Sequence, residues 1–115
     1  MELDKVKVRK LKQTLQAVHK ELGDMPLMQL TVLLAAAEAD LYKENTDSKT
    51  IAKDLNISAS STSRHLSQYT DWTWLKRPGV EFVEQRKDRV DGRRRFIHIT
   101  NKGNKFIAKI TKLLD

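Results

Sequence analysis

Ser48-Lys49-Thr50-Ile51-Ala52-Lys53-Asp54-Leu55-Asn56-Ile57-Ser58-Ala59-Ser60-Ser61-Thr62-Ser63-Arg64-His65-Leu66-Ser67-Gln68-Tyr69 reads as two short helices joined by a tight turn. Ser48 can cap the first helix, which carries Ile51, Ala52 and Leu55 on its inner face. Asn56 tolerates the left-handed backbone of a turn, and Ser58 can cap the second helix. The small Ala52 lets the two helices cross closely, while Ile57, Thr62, Leu66 and Tyr69 give the second a face for packing on the first.

That packing leaves Ser60, Ser61, Ser63, Arg64, Ser67 and Gln68 on the second helix, with Ser58 at its start. All are small or able to hydrogen-bond. Such a face suits the major groove of a duplex, because hydroxyls approach bases or phosphates without steric penalty and an arginine can grip guanine or phosphate with two parallel hydrogen bonds. A serine-rich solvated surface is the plainer alternative, and the frame of two capped helices argues against it.

Downstream the pattern changes. Val80, Phe82 and Val83 form one β-prone run and Phe96, Ile97 and Ile99 another, with Asp91-Gly92 as the turn signal between them, which predicts a hairpin near 80–100. Arg86, Lys87, Arg89, Arg93, Arg94 and Arg95 cluster around that turn, with only Asp88 and Asp91 nearby to oppose them. Like charges this dense repel one another, and phosphates would relieve the repulsion. An aspartate beside an arginine can hold the guanidinium for a narrow groove, where the potential is most negative. Thr100 can cap a final helix, Asn101 to Leu114, whose apolar face is Phe106, Ile107, Ile110, Leu113 and Leu114. Between the helix pair and the hairpin lie Trp72 and Trp74, expected to pack within the domain because large aromatics favour burial.

Upstream, Val8, Leu11, Leu15, Val18 and Leu22 recur at alternating spacings of three and four between Leu3 and Leu22. They mark an amphipathic helix whose narrow stripe can pack along a partner helix or lie on its own domain. Gly23 closes that helix and Pro26 begins the next, Leu27 to Tyr42, which is apolar nearly all round and therefore expected to be central. Lys43 to Asp47 reads as a polar loop.

A chain of 115 residues is sized for one domain with a modest, mainly helical core. Its 22 Lys and Arg against 15 Asp and Glu give a formal charge of +7, an excess that attracts polyanions. The absence of cysteine excludes a disulfide framework, a thiolate metal site and a thiol redox sensor, and suits a reducing cytosol. There is no signal core at the start, and the longest apolar stretch, near Thr31 to Ala37, is far too short to cross a bilayer, so a cytoplasmic protein is expected. No phosphate-binding glycine loop, nucleophile motif or metal-ligand cluster is present, and His19, His65 and His98 are scattered singly. Neither enzyme activity nor a metal or cofactor is therefore expected.

The order helix, turn, serine-rich helix, basic hairpin, helix resembles the MarR family of transcriptional regulators. Ile57-Ser58 through Ser61-Thr62-Ser63-Arg64-His65-Leu66 resembles the family's recognition helix, and Glu84-Gln85-Arg86-Lys87-Asp88-Arg89-Val90-Asp91-Gly92-Arg93-Arg94 its wing, the more specific match. Ile99-Thr100-Asn101-Lys102-Gly103 resembles the junction from wing to C-terminal helix. The likeness covers roughly Pro26 to Gly103, Leu3 to Leu22 sits where the family has a dimerising helix, and Thr70 to Pro78 is longer than the family's usual link.

The resemblance implies an α+β, mainly α fold: a winged helix-turn-helix core over 26–100, an N-terminal dimerisation helix over 1–23 and a C-terminal helix over 101–115. It also implies a homodimer, with Val8, Leu11, Leu15, Val18, Leu22, Phe106, Ile110, Leu113 and Leu114 at the interface. Each recognition helix would enter a major groove and each wing tip the adjoining minor groove, Asp91 orienting Arg93 and Arg93 or its neighbour entering the groove. A two-fold protein implies a palindromic operator with half-sites about one helical turn, roughly 34 Å, apart. A small-molecule effector is compatible with the same likeness.

The expected function is sequence-specific binding of double-stranded DNA by a dimeric transcriptional regulator, with repression favoured because occupying a promoter needs no additional contact surface. Two alternatives stay open. One is a winged-helix adaptor that binds a polymerase or another regulator. The other is a sequence-tolerant architectural or replication protein, with strong salt dependence and little preference among sequences.

Overall fold

Asp4 starts the first helix by turning its carboxylate onto two free backbone donors, accepting from the N–H of Val6 at 2.9 Å and of Lys7 at 3.1 Å. Helix α1 then spans Lys5–Leu22 and ends on Gly23, whose φ of 73° is cheap only for glycine. The computed structural model describes residues 2–73 and 75–115. After α1 come α2 (Leu27–Leu41), α3 (Ser48–Leu55), α4 (Ala59–Ser67), the strands β1 (Val83–Lys87) and β2 (Arg95–Ile99), and α5 (Asn101–Thr111), which tightens into a 3₁₀ turn at Lys112–Leu114. This is the winged helix-turn-helix expected from the sequence, mainly α with one small antiparallel sheet.

Helix α2 is the centre, with Val32, Leu33 and Ala36 fully buried. Around it pack Ile51 of α3, Leu66 of α4, Ile97 of β2, and Phe106 and Ile110 of α5. Phe82 stacks between Tyr69, with centroids 6.5 Å apart, and Phe106, at 4.8 Å, so one aromatic column ties the end of α4, the base of the hairpin and α5 together. The Tyr69 hydroxyl donates to the carbonyl of Gln29 at 2.7 Å, and burial pushes its phenol pKa well up. In the sheet Val83 pairs with Ile99 and the register runs out to Lys87 opposite Arg95. Thr46, read from sequence as loop, adds a one-residue third edge, its carbonyl accepting from the N–H of Ile97 at 2.8 Å.

Four expectations are corrected. The cap of α3 is Asp47, not Ser48: one carboxylate oxygen accepts from both the Thr50 N–H, at 2.8 Å, and the Thr50 hydroxyl, at 2.7 Å, which a serine one residue later could not do. The first strand starts at Val83 rather than Val80, because Glu81 sits at a φ of 58°, outside the range of a strand. Helix α2 is not covered all round, since Leu27, Leu34 and Leu41, spaced by seven, are exposed along one edge.

The fourth correction concerns the expected interface. Val18, Phe106 and Ile110 are core residues of the single chain, and Leu22 is half-buried against that core, so they offer little free surface. Helix α1 leans on its own domain through its C-terminal half, where Lys109 of α5 pairs with Glu21 at 2.7 Å. Val8, Leu11 and Leu15 remain exposed at 56%, 57% and 43%, and Leu113 and Leu114 are also open.

Candidate nucleic-acid interface

Helix α4 is fixed by its cap and three buried anchors. The Ser58 hydroxyl accepts from the Ser61 N–H at 3.0 Å, while Thr62, Leu66 and Tyr69 are all but fully buried. Helical spacing then turns Ser60, Ser63 and Arg64 to solvent and leaves Ser61, Ser67 and Gln68 half-buried at the rim. His65 lies on the packing side, its Nδ1 3.3 Å from the Gln29 side-chain oxygen. Thr62, Leu66 and Tyr69 are buried, while of the six residues expected on the outward face three, Ser61, Ser67 and Gln68, are only partly open.

The link from α4 to the hairpin is long in sequence and short in space. The Tyr69 carbonyl accepts from the N–H of Phe82 at 2.7 Å and of Val83 at 3.0 Å, so the hairpin starts where α4 stops. The intervening residues form an excursion closed on itself, with Gly79 N–H to Asp71 carbonyl at 2.9 Å and Thr73 N–H to Arg77 carbonyl at 2.8 Å. A Cβ at Gly79 would lie 1.9 Å from the Thr70 carbonyl oxygen, so only glycine closes this neck. Trp72 is not packed within the domain as expected; its backbone bridges Pro78, it is 59% exposed, and the smaller Thr73 takes the buried place beside it. Trp74 lies outside the described residues.

Because the neck is tight, α4 and β1 face a common opening. A cleft of about 660 Å³ is lined by Ser63 and Ser67 from α4, Glu84 and Gln85 from β1, and Trp72 from the excursion. Ser63 and Ser67 of α4 therefore open beside the start of β1, in a cleft whose charged lining is Asp71, Glu81 and Glu84.

The hairpin tip is shaped by aspartates. Asp88 N–H donates to the Arg94 carbonyl at 2.9 Å and Arg94 N–H to the Asp91 carbonyl at 3.0 Å, closing a loop over 88–94. Side-chain oxygens of Asp88 and Asp91 accept from Val90 N–H at 3.0 Å and Arg93 N–H at 3.1 Å. Asp91 thus holds Arg93 by its backbone. Gly92 contributes no positive φ, so the Asp-Gly signal marked the right place through its aspartate rather than its glycine.

The basic residues of the wing fall into two groups. Arg94 is tethered: its Nε lies 3.4 Å from Asp47 and its guanidinium carbon 5.2 Å above the Phe96 ring. Arg86 is tethered to Glu84, its Nε donating at 3.0 Å. Lys87, Arg89, Arg93 and Arg95 are exposed and make no ion pair among the described residues. Burial pushes the Asp47 carboxyl up, but hydrogen bonds from Thr50 and Arg94, with the Arg94 charge, outweigh it and hold the pKa below its ordinary value.

Sequence reasoning missed one polar tie. Asp40 accepts from the Ile99 N–H at 2.6 Å and lies 3.1 Å from His98 Nδ1, fastening the end of α2 to β2. The partners are far apart in the chain, and no local pattern announces them. Among the described residues no group of three or more His, Cys, Asp or Glu could hold a metal ion, and no helix is long and apolar enough to cross a membrane.

No protein-family model and no curated protein sequence matches the chain. Solved structures do. RV1404 from Mycobacterium tuberculosis superposes with a TM-score of 0.71 at 12% identity, over 93% of this chain and 65% of its own. The fold is the MarR-type winged helix. A mutant MarR from E. coli, solved in complex with operator DNA, gives 0.66 at 16% identity over 95% of this chain and 68% of its own. A mutant MepR from S. aureus gives 0.67 at 22% identity over 94% and 71%. The chain thus spans about two thirds of the length of these MarR-type structures.

Proposed function

We propose that the protein binds double-stranded DNA in a sequence-specific manner and regulates transcription, acting as a homodimeric repressor on a palindromic operator. The observation that carries this reading is the position of α4 beside β1: Ser63 and Ser67 share one cleft with Glu84 and Gln85, and the cations of the hairpin follow farther along the strand, outside the lining of that cleft. A helix in a major groove beside a basic hairpin needs that placement, because neighbouring grooves lie on one side of the duplex. The E. coli MarR mutant seen with operator DNA shares the fold, which supports the assignment. Ser60, Ser61, Ser63, Arg64, Ser67 and Gln68 read bases or grip flanking phosphates, and Lys87, Arg89, Arg93 and Arg95 supply charge to the backbone and the minor groove. The exposed Val8, Leu11, Leu15, Leu113 and Leu114 are the apolar surface that a second copy would cover.

Selection from a random duplex pool, followed by binding across a salt series, tests the reading. One enriched palindrome is expected. Arg93→Ala should weaken binding to all duplexes and flatten the salt dependence, whereas Ser61→Ala or Arg64→Ala should change which bases are preferred. Uniform recovery of sequences would favour an architectural role, and no recovery an adaptor that binds protein; either result overturns the proposal.

A further inference from the structure

Between α4 and β1 the chain makes its closed excursion, and the excursion leaves Trp72 59% exposed. The presentation is stiff. The Thr70 hydroxyl lies 2.7 Å from the Ser67 carbonyl and 2.8 Å from that of Trp72, so residue 72 is tied back to the last turn of α4. Next to it Thr73 is buried, its N–H bonded to the Arg77 carbonyl, and the neck at Gly79 admits no Cβ. Trp72 lines the cleft beside α4 together with Ser63 and Ser67, whereas Leu75, farther along the excursion, lines a different one shared with Leu22 and Met25. The charged residues around the first cleft are all acidic: Asp71, Glu81 and Glu84, the last paired with Arg86. Such a lining repels phosphate.

We propose that Trp72 is a specificity-determining residue that reads a thymine in the groove entered by α4. The proposal rests on the DNA-binding reading and deepens it. To the helix and the wing it adds a third contact, made by the link between them, and it gives that contact a role in choosing bases rather than in holding the backbone.

The major-groove edge of each base pair offers its own pattern. Guanine shows two acceptors, N7 and O6, which carboxylates disfavour as they disfavour phosphate; thymine shows an apolar C5 methyl beside its O4 acceptor, and the adenine paired with it an amino donor. An indole supplies an apolar face and a single N–H donor. The chemistry therefore matches a T·A pair, with the acidic residues working against the wrong partners rather than attracting the right one. Because the neck holds Trp72 before any duplex arrives, little conformational entropy is lost on contact. An exposed tryptophan could also seat against another protein, but its place in one cleft with Ser63 and Ser67 of α4 favours the duplex.

Trp72→Ala, Trp72→Gln and Trp72→Phe are compared with the parent on a selected duplex in which each thymine is replaced in turn by deoxyuridine, which removes only the methyl group. One position per half-site should weaken the parent about fourfold, the worth of one buried methyl. The same position should weaken Trp72→Phe and leave Trp72→Ala and Trp72→Gln unaffected. Between about 50 and 200 mM salt all three variants should keep the slope of the parent, since no phosphate contact is lost. Circular dichroism checks that each variant folds, and the exposed place of the side chain makes Trp72→Gln a mild replacement should Trp72→Ala fail. If no thymine position separates the parent from Trp72→Ala and Trp72→Gln while Arg64→Ala still changes base preference, Trp72 does not read bases; the proposal fails, DNA binding stands, and the exposed indole is left to a protein partner. A lowered salt slope in Trp72→Ala would make it a backbone contact and would equally overturn the proposal. A parent that enriches no duplex at all overturns the DNA-binding reading, and this inference with it.

Discussion

Gly103→Ala exchanges a poor helix residue for the best one, and the structure reverses the sign that propensity gives. Inside a helix alanine is favoured over glycine by about 1 kcal/mol. Gly103 lies in the first turn of α5, its N–H donating to the Thr100 hydroxyl at 3.0 Å, and a Cβ there would sit 2.3 Å from the Phe82 carbonyl oxygen and 2.8 Å from Ile99 Cγ2. Neither is the free end of a flexible side chain: one is backbone and the other a short branch of a buried residue. Reaching an ordinary contact of 3.4 Å requires α5 to retreat by about 1 Å, which opens the Phe82–Phe106 stack now at 4.8 Å and draws the helix off its cap. Overpacking of this kind costs about 1–3 kcal/mol, a weakened cap adds roughly another 1, and propensity returns about 1. The net expectation is a loss of about 2 kcal/mol, or about 8 °C in Tm for a domain of this size. Thermal unfolding followed by circular dichroism measures it. Gly92→Ala is the control, since a Cβ there meets nothing within 4 Å and the φ is not positive; its Tm should stay within about 2 °C of the parent. A Gly103→Ala protein as stable as the parent, or more so, would refute the claim that α5 and the hairpin base touch backbone to helix.

Two further outcomes follow from individual side chains. Asp47→Ala should cost about 1 kcal/mol at neutral pH, through loss of the α3 cap and the tie to Arg94. Because the folded pKa of Asp47 is below its unfolded value near 3.9, its contribution is complete above that value and is lost as pH falls through the folded one. Stability measured from pH 5 down to pH 2 should therefore fall less steeply in the variant, and equal acid slopes would remove Asp47 from the account. Leu11→Glu with Leu15→Glu should convert a dimeric parent to monomer in sedimentation while leaving the single-chain fold intact, because both side chains are exposed. An unchanged sedimentation coefficient would place any subunit interface elsewhere.

What could be read from the sequence follows from how local each signal is. The helix pair was legible because its parts are neighbours: Ser58 caps a helix three residues from its bonding partner, Asn56 takes the left-handed turn, and Thr62, Leu66 and Tyr69 share a face by spacing alone. Asp47 and Ser48 are both good caps, and the choice between them depended on Thr50 and on Arg94, the latter 47 residues away. Trp72 was misjudged because burial preference is an average, while the closed neck at Gly79 turns this residue outward. Thr46 joins the sheet through a single residue and the Asp40–His98 contact spans 58 positions, so neither leaves a periodic trace. The apolar stripe of α1 was legible as a stripe. Its division into a packed C-terminal part and an open N-terminal part depends on where α5 ends up.

Most of the ties that orient the wing act at its base. Tyr69 holds Phe82 and Val83, Thr46 holds Ile97, Asp40 holds the Ile99 N–H, and Thr100 donates through its side chain to the Glu81 carbonyl and through its N–H to Phe82. Each joins hairpin backbone to a helix or its flank, so the first rungs of the sheet are placed relative to α4 before any ligand arrives. Beyond Lys87 and Arg95 the contacts become local, aspartates binding N–H groups two residues along, and the reach back to α3 is made by Arg94 through Asp47. A wing built this way has a fixed root and a tip held mainly by its own turn. Such a division would suit the proposed binding to DNA: a fixed root limits the entropy lost on docking, and the exposed side chains of Arg89 and Arg93, which make no ion pair among the described residues, would be able to follow the width of a groove. It also sets Arg94, paired with Asp47, and Arg86, paired with Glu84, apart from Arg93 and Arg95, which make no ion pair among the described residues: removal of Arg94 should act through geometry, since its charge is already shared.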